Sequence, residues 1–543
     1  MTPIFDWPQI RAVYSVEGDT AMPEGGLRVG NSSFHMAKGR FSERAFSQTD
    51  AEMFDAQFCP FQPLDQPPVF ALVTTKHIVV GTMKPQPVPK DTTPYAIRTI
   101  IYDADLDSCN CCCAWALDGD DNPVICVAGT SAVIKVYAPD GVLVRTLVGH
   151  GGEINALQTS PANPHIIASA SADVTMRLWN LSGPFKEKPC VCIYGGDTHC
   201  DDLLAMAFHK TGRWLLSTGK DMVIALWVVP TLPGAPEPAI KQILAPQFAS
   251  SEIHNAIIDC HSVAFWGDLI VSRDCYEGGQ IMVWQIEGFS SANPLPVDTI
   301  APFSHEPNAF SRSAFATSGH NNTGPFLWRH LFKLAAPPCD TQFYMRFGIH
   351  TASPDENHHA PEGLLGFCDA HSQTSFWSFR DIIEYCDYVR ELHEAVEEKA
   401  RCEADGTPWA PKVADLPLGV EPPLFLEVDE EMLSPKAKSG SESRRKRKDD
   451  ACTDGLNEDR VGFLEQFFPR DVVLRWESMY DISNPLRPLQ PHWQCGVAGN
   501  PRVGRQVAWS PSGEWCIVSL NRNTAFFMER VPVESDGDEE EGS

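Results

Sequence analysis

Four cysteines fall within eight residues in the stretch SCNCCCAW, at Cys109, Cys111, Cys112 and Cys113. Clustered thiols suggest three chemistries: metal ligation, redox exchange, or burial as small hydrophobes. A structural zinc site needs converging ligands, commonly spaced C-x2-C with a second Cys or His pair. That spacing is missing, and no second pair lies nearby in the sequence. A redox thiol needs positive charge to stabilise its thiolate, yet the preceding YDADLD is acidic. A β-strand is the better reading, with Cys111 and Cys113 on one face and Cys112 on the other.

A second constellation resembles a hydrolytic triad. His150, then Ser169 or Ser171, then Asp173 lie in GHGGEINALQTSPANPHIIASASADVTMRLWN. The spacing recurs in THCDDLLAMAFHKTGRWLLSTGKDMVIALW. His150 precedes Trp179 by 29 residues and His199 precedes Trp227 by 28, while Asp173 and Asp221 each lie 6 residues before the Trp. Recurrence favours structure over catalysis. This is the signature of a WD repeat, whose His, Ser, Asp and Trp form a buried hydrogen-bonded chain.

The elements that position these residues are short alternating strands such as INALQTS, IIASAS and MRLWN. One repeat cannot bury its sheet alone, so repeats stack into a ring. Weaker copies supply the other blades. AEMFDAQFCPF with PPVFALVTTKHIVVGTM is the first, and CAWALDGDDNPVICVAGTSAVIKVYAP the second. The fifth closes at Trp284, the sixth at Trp377, and RQVAWSPSGEWCIVSLNRNTAFFMERV is the seventh. The expected fold is all-β: a seven-bladed WD-repeat propeller, with a helical and disordered insertion between the last two blades. A strand from one terminus is a candidate to complete a blade of the other.

The organisation follows. Residues 1–49 read as an N-terminal extension, 50–378 as six blades, 379–494 as the insertion, 495–532 as the seventh blade and 533–543 as an acidic tail. Within the blades, the polar segment 286–335 reads as a long loop. In 379–403, Ile382, Tyr385, Val389, Leu392 and Val396 have helical spacing. That helix packs either on its own propeller or on a partner. Residues 404–460, rich in Pro, Ser and charge, read as disordered. Within them Arg444, Arg445, Lys446, Arg447 and Lys448 form a basic run. It suits a nuclear import signal; a nucleic-acid contact and a solvated charge run are the alternatives.

The formal net charge of −28 over 543 residues argues against direct nucleic-acid binding. It suits solubility, or long-range attraction of a basic partner such as a histone tail. The N-terminal MTPIFDWPQIR contains Asp6 and no apolar core, so no secretory signal is expected. No apolar run approaches the ~18 residues of a membrane helix. The 18 cysteines are therefore expected as reduced thiols. No phosphate-cradling Gly loop, nucleophile elbow or HExxH appears, so no enzyme is expected. His358, His359 and His371 read as loop residues, and neither metal nor cofactor is expected.

LVGHGGEINAL, SADVTMRLWN, DCHSVAFWGDLIVS, YDADLDSCNCCCAW and CDTQFYMRF together resemble the EED, or extra sex combs, family of WD-repeat Polycomb proteins. The resemblance runs over most of residues 50–290, then 339–378 and 495–530. It implies a non-catalytic nuclear subunit of Polycomb repressive complex 2. Such a subunit scaffolds the methyltransferase and reads trimethylated lysine, especially lysine 27 of histone H3, which stimulates the enzyme. Reading uses an aromatic cage, whose ring faces attract a poorly hydrated quaternary ammonium. The family's PLFGVQF-like segment reads EMFDAQF here, giving Phe54. Its Trp-Tyr before MRF becomes Phe343 and Tyr344, and its Arg in an IRQ segment becomes Arg505, a peptide contact. Its cage Tyr falls on Cys111, which would face the channel mouth and offers no ring. Losing one wall forfeits about 0.5–2 kcal/mol, or about threefold to thirtyfold in affinity. The alternatives are a scaffold that does not read methyl-lysine and a WD-repeat substrate receptor of a ubiquitin ligase.

Overall fold

Short strands that bury both faces must pack on neighbours to either side, and here they close into a ring of seven blades, antiparallel but for the strand Lys241–Ile243 added in parallel to the third. The computed structural model describes residues 7–15, 27–29, 32–34, 52–89, 92–105, 108–232, 234–275, 280–293, 311–315, 327–336, 342–351, 363–408, 462, 464–466, 470, 473, 488–497 and 501–531. The innermost strands are Met53–Phe58, Asn110–Leu117, Ile154–Thr159, Leu203–Phe208, Ile258–Trp266, Gly348–Thr351 and Gly504–Trp509. Among the described residues, seven apolar clusters fill the seven gaps between adjacent blades. The closing tryptophans Trp179, Trp227, Trp284 and Trp377 are each buried against the preceding blade.

The N-terminus closes the ring. Gln9–Ser15 pairs antiparallel with Thr524–Glu529 as the fourth strand of the seventh blade. The insertion leaves the sixth blade after Gln373–Ser378 and returns as that blade's fourth strand, Trp493–Gly496. Its helix is Phe379–Asp405, with the Ser378 hydroxyl accepting the Asp381 N–H and Gly406 at φ 66° ending it. The Phe379 ring stacks on Trp266 with centroids 3.9 Å apart. Ile382, Ile383 and Cys386 join the cluster between the fifth and sixth blades, so the helix packs on its own propeller. Tyr385 and Leu392 are buried as well; the side chains of Val389 and Val396 lie outside the described residues.

Segment 286–335 departs from the expected loop. Trp328–Leu334 pairs with Ile281–Ile286 as the outer strand of the fifth blade, and Ser311–Ser313 pairs with Phe248–Ser250. An outer strand needs only one apolar face. Here Phe332 and Leu334 provide it, and the polar residues of the surrounding segment, rather than WRHLFKL itself, conceal the strand. The basic run Arg444–Lys448, residues 409–460, the acidic tail and His358 and His359 lie outside the described residues. The His371 N–H donates to Asp369 Oδ1 at 2.7 Å within a turn. Among the described residues no helix is long and apolar enough to cross a membrane.

The triad-like residues form structural chains. Trp179 Nε1–H donates to Ser169 Oγ at 2.8 Å, and Ser169 Oγ lies 2.6 Å from His150 Nε2. Indole only donates, so the serine hydroxyl passes its proton toward Nε2. His150 therefore carries its proton on Nδ1 and donates to Asp173 Oδ2 at 2.8 Å. Burial lowers the His150 pKa. Burial opposes the Asp173 carboxylate, but hydrogen bonds from His150 and Thr175 prevail and hold its pKa well below the usual range. Trp227, Ser217, His199 and Asp221 repeat the chain, and Trp284, Ser272 and His254 form a third beside Asp274. Ser169 is fully buried and its hydroxyl is already committed to Trp179 and His150, which leaves it no role as a nucleophile. Ser169→Ala strands the indole N–H and the imidazole without water. It is expected to lower the unfolding free energy by about 1–3 kcal/mol in urea titrations.

Candidate functional site

At one mouth of the channel the innermost strands share an irregularity. The ladder shifts register between Met53 and Asp55, Asn110 and Cys112, and Gly504 and Gln506. The extra residue of each bulge is Phe54, Cys111 or Arg505. The third and fourth blades bulge in the same way, at Asn155 and Leu204. A bulge leaves one residue unpaired and re-aims its side chain. Three of the residues singled out in the sequence thus occupy one structural position in different blades.

The bulge also corrects the expected strand faces. Cys111 and Cys112 point the same way, with their Sγ atoms 3.4 and 3.5 Å from the Ile154 carbonyl oxygen. Cys113 lies on the other side, in the cluster between the first and second blades. Strict alternation would have paired Cys111 with Cys113; the extra residue breaks the two-residue period. Burial pushes the Cys112 and Cys113 thiols well above their ordinary range. Cys111 is itself 6% exposed, beneath the rim rather than open at the mouth. Among the described residues no group of three or more His, Cys, Asp or Glu converges as a metal site.

Two of the expected cage rings meet. Phe54 and Tyr344 approach edge to face, with centroids 5.2 Å apart and planes at 61°. Both pack against the cluster that contains Cys111 and Cys112. Tyr344 takes a left-handed backbone, φ 60°, which a non-glycine residue adopts only where its surroundings hold it. Phe343 beside it is 47% exposed, an apolar face open to solvent at the rim. Arg505 is largely buried. Its Nε donates to Glu52 Oε2 at 2.9 Å and its Nη1 to the Phe343 carbonyl. That geometry positions Phe343, a role beyond the peptide contact expected for it.

Asp55 and Arg346 were not among the sequence-derived site residues. Both are completely or almost completely buried, with Arg346 Nη1 3.4 Å from Asp55 Oδ2. Arg346 also donates to the carbonyls of Phe54 at 3.3 Å and Cys111 at 3.0 Å, and its guanidinium lies 5.7 Å from the centre of the Tyr344 ring. Asp55 accepts the backbone N–H groups of Ala56 and Cys113 at 2.8 and 2.9 Å. Burial raises the Asp55 pKa, opposed by the Arg346 charge and these donors. A signal for the pair was present. A carboxylate inside the apolar strand MFDAQF demands a buried cation, and Arg346 lies two residues after Tyr344.

The WD domain, G-beta repeat, family model matches residues 141–180 and 189–228. The chain is 36% identical over 532 residues to "Polycomb protein EED" of Chaetomium thermophilum, covering 89% of this chain and 92% of that protein. It is 27% identical over 254 residues to "Polycomb protein esc" of Drosophila melanogaster, covering 43% and 56%. The corresponding chain of the Chaetomium thermophilum Polycomb repressive complex 2 crystal structure superposes with a TM-score of 0.73 at 34% identity, over 98% and 99% of the two chains. For that complex with H3K27me3 and H3K27M the TM-score is 0.71 at 36% identity, over 97% and 98%.

Proposed function

The chain belongs to the EED, or extra sex combs, family of WD-repeat Polycomb proteins, and from that membership we propose that it is the non-catalytic scaffold subunit of a Polycomb-type methyltransferase complex acting on lysine 27 of histone H3. It binds the trimethylated H3 tail and thereby stimulates the catalytic subunit, its partner. The relatives and solved structures above are Polycomb proteins and complexes, which sets aside the ubiquitin-ligase reading. A Polycomb subunit works on chromatin; the nucleus is its place of action, with Arg444, Arg445, Lys446, Arg447 and Lys448 as import signal.

The observation that carries methyl-lysine reading is the pair of ring faces, Phe54 and Tyr344, set at 61° on one rim. Two walls at that angle present negative π-faces to one quaternary ammonium. Phe343 supplies a third face, and Cys111 floors the position where a fourth ring would stand. The exposed Glu153, one residue before Ile154, and the net charge of −28 favour a basic peptide. Scaffolding without reading is the second candidate, favoured by the missing ring at Cys111.

Reconstitution tests the proposal. The catalytic subunit should gain methyltransferase activity on adding this chain, and gain more on adding an H3 peptide trimethylated at lysine 27. Gain from the chain but none from the peptide would support scaffolding alone; no gain from the chain would reject both. Restoring the fourth ring is a separate check. Cys111→Tyr is expected to tighten the trimethylated peptide about threefold to thirtyfold in fluorescence polarisation. An unchanged Kd would remove this position from the cage.

A further inference from the structure

We propose that the Asp55–Arg346 ion pair is the positioning device of the methyl-lysine site, fixing the geometry of a cage that has only three rings. The inference rests on the reading above and deepens it. The guanidinium reaches three of the four cage positions from behind: the carbonyl of Phe54, the carbonyl of Cys111 and the ring of Tyr344. Phe54 and Cys111 lie on strands of adjacent blades and Tyr344 in the bend before the sixth blade, so no single strand ladder sets their separation. Phe54 and Cys111 are the unpaired residues of their bulges, and such residues lack ladder hydrogen bonds to hold them. Arg346 provides those bonds.

Asp55 does two things. It neutralises the cation that would otherwise sit behind a site meant for another cation. It also ties the first blade to the second through the Cys113 N–H, one strand over from Phe54. A missing ring removes attraction that no ion pair can replace. A rigid arrangement of the remaining rings avoids the ordering penalty on binding, and that recovers affinity. Asp55 and Arg346 are positioning residues, because neither is exposed enough to meet a ligand.

The test compares wild type, Asp55→Asn and Arg346→Lys in the full chain. Each is titrated with H3 peptides trimethylated and unmethylated at lysine 27, after melting curves establish that it is folded. Asp55→Asn keeps the shape but leaves Arg346 unpaired. Arg346→Lys keeps the charge but loses the fork that spans two carbonyls. Each variant is expected to weaken the trimethylated peptide about tenfold, with faster dissociation and unchanged binding of the unmethylated peptide. A purely structural role would reduce both peptides together. Wild-type preference with the same preference in both folded variants overturns this inference and leaves the reading intact. No preference in wild type overturns the two together.

Discussion

Arg346→Met is expected to lower the unfolding free energy by about 3–5 kcal/mol, because it leaves the Asp55 carboxylate buried and unpaired. Asp55 is fully buried, and the lost guanidinium also strands the carbonyls of Phe54 and Cys111. Urea denaturation followed by tryptophan fluorescence measures the change. The loss has a pH signature. Burial already raises the folded-state pKa of Asp55 above its unfolded value, and Arg346 is the main charge opposing that rise. Between the two values the folded state holds more protons than the unfolded state, so this group's contribution to stability improves as pH falls. Removing Arg346 widens that window upward. The deficit of Arg346→Met should therefore be smaller near pH 5 than near pH 8. Adding Asp55→Leu should recover much of it, since two apolar side chains carry no stranded charge. A loss below about 1 kcal/mol, flat in pH, would mean that water reaches the pair.

The second large effect is on binding. Phe54→Ala with Tyr344→Ala removes both ring faces that meet at 5.2 Å. Two walls together are worth about 1–4 kcal/mol, a loss of fivefold to several hundredfold in affinity for a quaternary ammonium. The double variant should bind trimethylated and unmethylated H3 peptides equally. Phe54 on the first blade's inner strand and Tyr344 on the loop before the sixth are only partly buried against the cluster beneath them, so the melting temperature should fall modestly rather than collapse. Retained preference would place the methyl-lysine elsewhere on the propeller.

Residue chemistry explains how much of this was legible in the sequence. The third and fourth blades stood out because His150, Ser169, Asp173 and Trp179 recur at matched spacing in the next repeat, and those residues do form the buried chains. The fifth blade repeats the Trp–Ser–His part of the chain with Asp274 3.4 Å from His254, but ten residues separate Asp274 from Trp284, and that insertion blurred the pattern. Phe54, Tyr344 and Arg505 were singled out through short motifs, and the structure brings them to one rim. The facing of Cys111 was not legible, because a bulge is invisible in a pattern with a period of two. Of the Asp55–Arg346 pair only half was legible: Asp55 inside MFDAQF calls for a buried cation, but closure of the ring selects Arg346, 291 residues away. The strand Trp328–Leu334 was hidden because the apolar WRHLFKL ends a long segment rich in Pro, Ser and Asn.

The central claim is that a cage with cysteine in place of its fourth ring still reads the methyl mark. The most direct measurement is titration of the purified chain with histone H3 tail peptides trimethylated and unmethylated at lysine 27. A lower Kd for the trimethylated peptide, abolished by Phe54→Ala and by Tyr344→Ala, is the expected result. Equal affinity for the two peptides at every usable concentration would contradict the claim, and would leave a subunit that holds the methyltransferase together without recognising the mark.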